Sequence, residues 1–136
     1  MRANEELPEP GTRILHLADR QLWAAAQREG DYRRSTRELT LEQEGFLHAS
    51  TAGQIPGVID RYYTDVDLAG FVLLVIDVAA CVAAGSPVRL DPVGDTAFPH
   101  IYGPLPVAAV VAELPVGRDA DGGTVLPDLA GLRVAD

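Results

Sequence analysis

The chain has three histidines, and each lies within a short apolar stretch: ILHL, GFLHAST and FPHIYGPL. A polar, titratable side chain is costly to bury among apolar neighbours unless it finds hydrogen-bond partners. Histidine also changes charge near neutral pH, which makes it a common general acid or base. The sequence therefore predicts that His16, His48 and His100 line one cleft, in which one moves a proton and another polarises or orients the substrate.

The histidines have two other interpretations. Any one of them, taken alone, more often bonds a backbone carbonyl and stabilises its own turn, whereas three such placements together favour a site. Three histidines can also bind zinc. Their separations of 32 and 52 residues give no local ligand pair, and no carboxylate joins them in a short metal signature. We expect no metal.

Hydroxyl and aromatic residues next to the histidines are further candidates. Ser50 and Thr51 follow His48 where a strand runs into a helix, and free backbone N–H groups there can receive an anionic group of a cofactor. Helix N-capping is the commoner role of such residues. Tyr102 lies two residues after His100 in an extended segment, so the two should share a face. Cys81 has Ala and Val neighbours, which indicates an inert core residue.

The periodicity predicts a single α+β domain with two main helices. Residues 13–17 form a first strand, with His16 on the face opposite Leu15 and Leu17. A helix follows from an N-cap at Asp19 to Gly30 and buries Trp23. Residues 31–43 are polar and are either a lid over the site or a solvated connection.

The second half begins with a short strand over residues 44–49. The next helix starts at Ser50 or Thr51, or nearer Gln54 because Pro56 disfavours the earlier start. The unbroken apolar run at 71–77 predicts a central strand covered on both faces. Further strands are expected at 87–90, around His100 and at 110–116, with one helical turn at 106–109.

The 136 residues suit one domain, which we place at residues 13–116, between a poorly ordered arm (1–12) and a tail (117–136) with little core content. The net charge of −9 disfavours general nucleic-acid binding. No apolar run approaches the roughly 18 residues of a membrane span. The single cysteine and the absence of a signal-like N-terminus indicate a cytoplasmic protein. The oligomeric state stays open.

The three segments "ILHL", "EGFLHAST" and "FPHIYGPL" follow one another in this order. In this arrangement the chain resembles the bacterial family known as domain of unknown function 952, from about Arg13 to Val116. That family is grouped as a remote relative of ADP-ribosyltransferases, whose split, bent sheet encloses a cleft. The resemblance therefore implies a bent, split sheet of mixed or antiparallel strands in this chain. The resemblance implies that His16 holds the adenosine-side ribose of NAD. It also makes Ser50 the hydroxyl residue and Tyr102 the aromatic that stacks on nicotinamide. Those transferases use a late-strand glutamate, for which Glu113 is the candidate here.

Two classes of function follow. The first is a small cytoplasmic enzyme that acts on a nucleotide-like or other small metabolite, by ribosyl transfer or cleavage, or by histidine acid/base isomerisation or cyclisation without NAD. The second is a module that binds a small ligand without turning it over. NAD as a cofactor rests on the analogy of fold, and fold does not fix function.

Overall fold

The computed structural model describes residues 11–136, and within them the chain is a mixed α+β structure of four α-helices and several antiparallel sheets. The predicted α+β class is confirmed. The arm predicted at residues 1–12 lies outside the described residues except for Gly11 and Thr12.

The elements alternate along the chain, and α1 and α3 are the longest helices. The helices are α1 (Arg20–Glu29), α2 (Leu41–Glu44), α3 (Ile55–Tyr62) and α4 (Val78–Ala83). The strands are β1 (Arg13–Asp19), β2 (Asp31–Tyr32), β3 (Leu47–His48), β4 (Phe71–Asp77), β5 (Val88–Val93), β6 (Thr96–Ile101), β7 (Leu105–Pro106), β8 (Val110–Leu114), β9 (Gly117–Arg118) and β10 (Thr124–Val125). Two 3₁₀ turns cover Leu68–Gly70 and Val107–Ala109.

One three-stranded sheet, in the order β1-β4-β8, lies between two apolar cores. Alternation along β1 sends Ile14 into the core that contains Trp23, and Leu15 and Leu17 into the core against α3. The predicted central position of residues 71–77 is confirmed, since an unbroken apolar run suits a strand covered on both faces.

A second three-stranded sheet has the order β3-β6-β5 and contains His48 and His100 as directly opposed residues. Strands β5 and β6 form a hairpin that turns at Gly94. The strand predicted at residues 87–90 is longer than expected, because β5 continues through Pro92 to Val93. A proline is tolerated there because β5 is an edge strand.

The first helix has the predicted ends and the predicted buried side. The Asp19 carboxylate accepts from two N–H groups of the first turn, Gly30 closes the helix with φ 102°, and Trp23 is buried. Residues 31–43, predicted as a lid or a solvated connection, also contain the strand β2 and the first three residues of the helix α2. The Thr40–Gln43 capping box that starts α2 explains the difference.

The next helix, α3, begins at Ile55 with Gln54 as its N-cap. Of the two starts considered, the one near Gln54 is confirmed and the one at Ser50 or Thr51 is wrong. Pro56 explains the choice, since it is tolerated only within the first turn.

None of residues 117–136 is fully buried, but the segment packs against the rest of the fold. Leu126, Leu129 and Leu132 pack against the second core. The Ala52 N–H donates to the Ala135 carbonyl at 2.7 Å. These leucines recur at every third residue but lie outside any helix or strand, and the surface that covers them exists only once the rest of the chain has folded.

Along the described part of the chain, no helix is both long enough and apolar enough to cross a membrane.

Candidate functional site

A cavity of about 520 Å³ lies between β1, the turn at residues 35–38, β3 and α3, and His16, His48 and His100 all line it. The structure thus brings the three predicted histidines to one place, although they are far apart in sequence. Ser50 also lines the cavity, whereas Thr51 and Tyr102 do not.

The cavity lies where the two three-stranded sheets separate. Leu15 and Ser50 exchange two main-chain hydrogen bonds of 2.8 Å, which join the edge of β1 to the chain just after β3. Because main-chain groups alternate along a strand, the N–H and C=O of Leu17 point to the same edge as those of Leu15. Leu17 lines the cavity, and no described residue bonds its main-chain groups at that edge.

His16, on β1, is buried. Its Nδ1–H donates to the main-chain oxygen of His48 at 2.6 Å, and its ring meets Tyr32 edge to face. Burial lowers the pKa of His16 to about 4, against the opposing effect of the hydrogen bond to the His48 main chain. The ring is therefore neutral at pH 7, with its Nδ1 as donor and its Nε2 left as an acceptor.

His48 is the most accessible of the three imidazoles, since 41% of its side chain is exposed. Its Nε2 lies 3.2 Å from Oε1 of Glu44, the last residue of α2. Gly45 makes this approach possible because its φ of 95° ends the helix and turns the chain into β3. A carboxylate accepts only, so Nε2 is the donor and Nδ1 is the free nitrogen.

His100 is held by a carboxylate from the neighbouring strand. Its Nδ1–H donates to Oδ2 of Asp91 at 2.8 Å, and the Tyr102 hydroxyl donates to the same oxygen. The predicted shared face of His100 and Tyr102 is therefore confirmed. The Nε2 of His100 is buried and has no partner among residues 11–136.

The pKa values of this cluster follow from burial and hydrogen bonding. Burial lowers the pKa of His100, against the opposing effect of Asp91. Burial acts to raise the pKa of Asp91, but the hydrogen bonds from Tyr102 and His100 outweigh it and leave that pKa below its ordinary value. Burial first, and then Asp91, raise the pKa of Tyr102 to about 12. At neutral pH, His100 is neutral and Asp91 is ionised.

One aromatic ring links the two paired histidines. Phe46 stacks on His100 with centroids 4.1 Å apart and meets His48 edge to face at 5.1 Å. The His48 and His100 rings are themselves edge to face at 5.0 Å. The two imidazole–carboxylate pairs therefore form one packed unit.

Sequence reasoning missed three residues of this unit, namely Glu44, Phe46 and Asp91. Two signals were available: Glu44 precedes His48 by four residues, and Phe46 lies inside the quoted motif. Asp91 had no local signal, because its contact with His100 depends on the pairing of β5 with β6.

Thr51, Glu113 and Cys81 do not line the cavity. The Thr51 N–H bonds the Gln54 side chain at 3.0 Å, at the start of α3. Glu113 is exposed, accepts from Gln27 and does not line the cavity. Cys81 is a buried core residue, as predicted, and burial raises the pKa of its thiol to about 12. Across residues 11–136, no three metal-binding side chains are grouped to hold an ion.

Solved structures of one other protein resemble this chain. A crystal structure of CC0527 from Caulobacter crescentus is 26% identical, covers 84% of this chain and 94% of its own, and superposes with a TM-score of 0.69. A double mutant of CC0527 gives the same values. The solution structure of CC0527 is 25% identical, covers 86% of this chain and 92% of its own, and gives a TM-score of 0.59.

No protein of curated function matches the chain. A family model does match, over residues 17–113, and this range contains His48, His100 and both of their carboxylate partners, while His16 lies one residue before it. The chain therefore belongs to the family described as "Protein of unknown function (DUF952)".

Proposed function

We propose that this protein is a small-molecule enzyme of the cytoplasm in which His48 acts as general acid and base. The observation that supports the proposal is that three histidines line one cavity and two of them have their own carboxylate partners. Paired and oriented imidazoles of this kind are the usual groups for proton transfer near neutral pH.

His48 is the proton-transfer group because it is accessible from the cavity. Glu44 accepts from Nε2–H, which fixes the tautomer and leaves the Nδ1 lone pair to take a proton from the substrate. The nearby carboxylate then stabilises the imidazolium that forms. The proton returns to another atom of the substrate, so the overall reaction is an isomerisation, a cyclisation or an elimination.

The other two histidines position the reacting groups, His16 by binding the substrate and His100 by holding the His48 ring. His16 is neutral and donates through Nδ1, so its second nitrogen accepts a hydrogen bond from a hydroxyl or amino group. The open main-chain edge at Leu17 adds one donor and one acceptor. His100 packs edge to face against His48 and restricts the rotation of that ring.

The substrate class follows from the lining of the cavity. Its size suits a small metabolite. Apolar side chains form much of its wall, namely Leu15, Leu17, Ile55, Val58, Val93 and Phe98. A molecule with an apolar or planar body and a donor-rich end, such as a nucleoside-like compound, fits this surface.

Ribosyl transfer from NAD is the less favoured chemistry. The predicted late-strand glutamate, Glu113, is outside the cavity, and Tyr102 is outside its lining. NAD stays in the substrate panel because of the analogy with ADP-ribosyltransferases, which is part of this proposal.

The first experiment measures turnover and binding together. The protein is incubated with NAD, ADP-ribose, AMP and adenosine, with nicotinamide release and product formation followed by mass spectrometry and binding by thermal shift. Turnover that is lost in His48→Ala supports the enzyme. A thermal shift without turnover supports a binding module, since a ligand selective for the native state raises apparent stability. Turnover that persists in His48→Ala contradicts the role given to His48.

A further inference from the structure

The turn at residues 35–39, on one side of the cavity, is held to the opposite wall by the side chain of Arg37. Ser35, Thr36, Arg37 and Glu38 line one side of the cavity, and the last residues of α3 line the other. The Arg37 guanidinium reaches both oxygens of Asp65, at 2.7 and 3.2 Å, and donates to the Tyr62 carbonyl at 3.0 Å. It also lies over the Tyr63 ring, 5.7 Å from the centroid.

The turn itself is a compact unit. The N–H groups of Ser35 and Thr36 both donate to the Leu39 carbonyl, and the Thr36 hydroxyl accepts from two further N–H groups. Ser35 is buried and its hydroxyl donates to the Phe46 carbonyl at 2.6 Å. The turn can therefore move as one body about its buried end at Ser35.

The ion pair between Arg37 and Asp65 is weak because both side chains are partly exposed. About a third of the Arg37 side chain and two thirds of the Asp65 side chain are exposed, at 34% and 68%. Exposed ion pairs contribute little and are screened by salt. Within residues 11–136, the hydrogen bonds between this turn and the opposite wall all come from Arg37.

The turn is joined to the residue that covers His100, since the Ser35 hydroxyl bonds the Phe46 carbonyl and the Phe46 ring stacks on His100. The Nε2 of His100 lines up with no partner among the described residues and is closed to solvent, although the ring lines the cavity. A ligand that fills the deep end must therefore pass groups that cover it.

We propose that Arg37 and Asp65 form a latch, and that its release lets the turn at residues 35–39 swing away and admit ligand to the histidines. The latch regulates access to the site of the proposed function and rests on that function for its purpose. Its movement, however, can be measured with no substrate present. Salt and loss of the Asp65 charge both favour the open state.

The chain offers a matched control on the same loop. Arg33 makes an ion pair with Glu42 at 2.8 Å, both side chains are more than half exposed, and neither lines the cavity. Glu42→Gln therefore removes an exposed ion pair from the loop without touching the latch.

The test uses diethyl pyrocarbonate, which acylates neutral imidazoles, with the modified histidines located by peptide mass spectrometry. We expect Asp65→Asn to raise the modification rate of His100 and His16 about two- to fivefold, the range for loss of an exposed ion pair. Glu42→Gln should leave these rates unchanged. His48, which is already half exposed, serves as the internal reference and should change least.

Added salt should raise the His100 rate in the wild type and not in Asp65→Asn. Arg37→Gln, which removes the same pair from its other side, is the second variant if the first does not fold. Equal His100 rates in the wild type and both latch variants, or equal increases in Asp65→Asn and Glu42→Gln, would overturn the latch. Because no substrate is used, failure of His48 as the catalytic group leaves this result intact.

Discussion

At the scale of single residues, the site depends on which imidazole nitrogen carries the proton. Each histidine donates to a group that only accepts: a main-chain carbonyl for His16, Glu44 for His48 and Asp91 for His100. These bonds fix three tautomers and leave one acceptor nitrogen on each ring. The three imidazoles differ in burial, since His16 and His100 are buried and His48 is not.

The carboxylate partner of His100 should be the residue on which local stability depends most. Asp91→Ala leaves the buried His100 Nδ1 and the half-buried Tyr102 hydroxyl without their acceptor, and an unpaired buried donor costs about 1–3 kcal/mol. We expect the free energy of unfolding to fall by about 2–4 kcal/mol in urea denaturation. Asp91→Asn keeps one acceptor oxygen and should cost about half as much. Equal stability of Asp91→Ala and the wild type would show that these bonds do not form.

His16 should make stability depend on pH in a defined window. The pKa of His16 is about 4 in the folded chain and 6.5 in an unperturbed histidine, so the unfolded chain binds the extra proton as pH falls. The contribution of neutral His16 is fully present above about pH 6.5, is lost as pH falls towards 4, and is of the order of 3 kcal/mol.

Urea denaturation of the wild type and of His16→Asn at several pH values measures this contribution. Asparagine keeps a donor for the His48 carbonyl but does not titrate. The wild type should lose stability faster than the variant between pH 6.5 and 4. Parallel curves across this window would mean that His16 is solvated or already paired as a cation.

At the scale of secondary-structure elements, the sequence predicted the features that are determined by residues close together in the chain. The capped ends of α1 and the central position of β4 follow from Asp19, Gly30 and an unbroken apolar run, all readable from neighbouring residues. The start of α3 was narrowed to two positions, and the ring of Pro56 decides between them. Strand β3 is shorter than predicted because Glu44 ends α2 and Gly45 caps it. Strand β8 is shorter because its apolar residues continue beyond the pairing with β4.

The turn after β6 contains a position that only glycine fits. Gly103 has φ 157°, and an added Cβ would collide with the Ser86 side chain, which is buried and whose hydroxyl donates to the Pro104 carbonyl. We expect Gly103→Ala to cost about 2–3 kcal/mol of unfolding free energy, because the collision strains the backbone and breaks that bond.

The control for this substitution lies in α3. Gly57 has no non-neighbouring atom within 4 Å of an added Cβ. Gly57→Ala should therefore stabilise the protein by about 0.5–1 kcal/mol, through the helix preference of alanine. Thermal unfolding of the two variants should shift in opposite directions. A destabilisation of similar size in both would remove the Ser86 contact as the cause.

At the scale of the whole molecule, the site forms where two sheets separate. The pair of bonds between Leu15 and Ser50 joins the sheets, and the cavity begins beyond it. The sequence predicted that the histidines would meet, because three buried polar residues in apolar stretches needed a common reason. It could not predict Asp91 as a partner, since the β5–β6 register is a long-range property, nor the packing of the C-terminal leucines.

That C-terminal segment should be needed for stability. Leu126, Leu129 and Leu132 pack against the same core as Ile55 and Ile59 of α3. Removing residues 119–136 exposes this apolar surface, so we expect the unfolding free energy to fall by more than about 3 kcal/mol. Differential scanning calorimetry of the shortened chain measures the change. An unchanged melting temperature would make the segment the appendage that its composition suggests.

The central claim is that His48 performs proton transfer on a small metabolite in the three-histidine cavity. The most direct measurement incubates a bacterial metabolite extract with the wild type and, in parallel, with His48→Gln, and compares the two by mass spectrometry. The account predicts that at least one metabolite is consumed at least about 100-fold more slowly by the variant, the usual contribution of a general acid or base. Extracts that change identically with the wild type and with His48→Gln would contradict it.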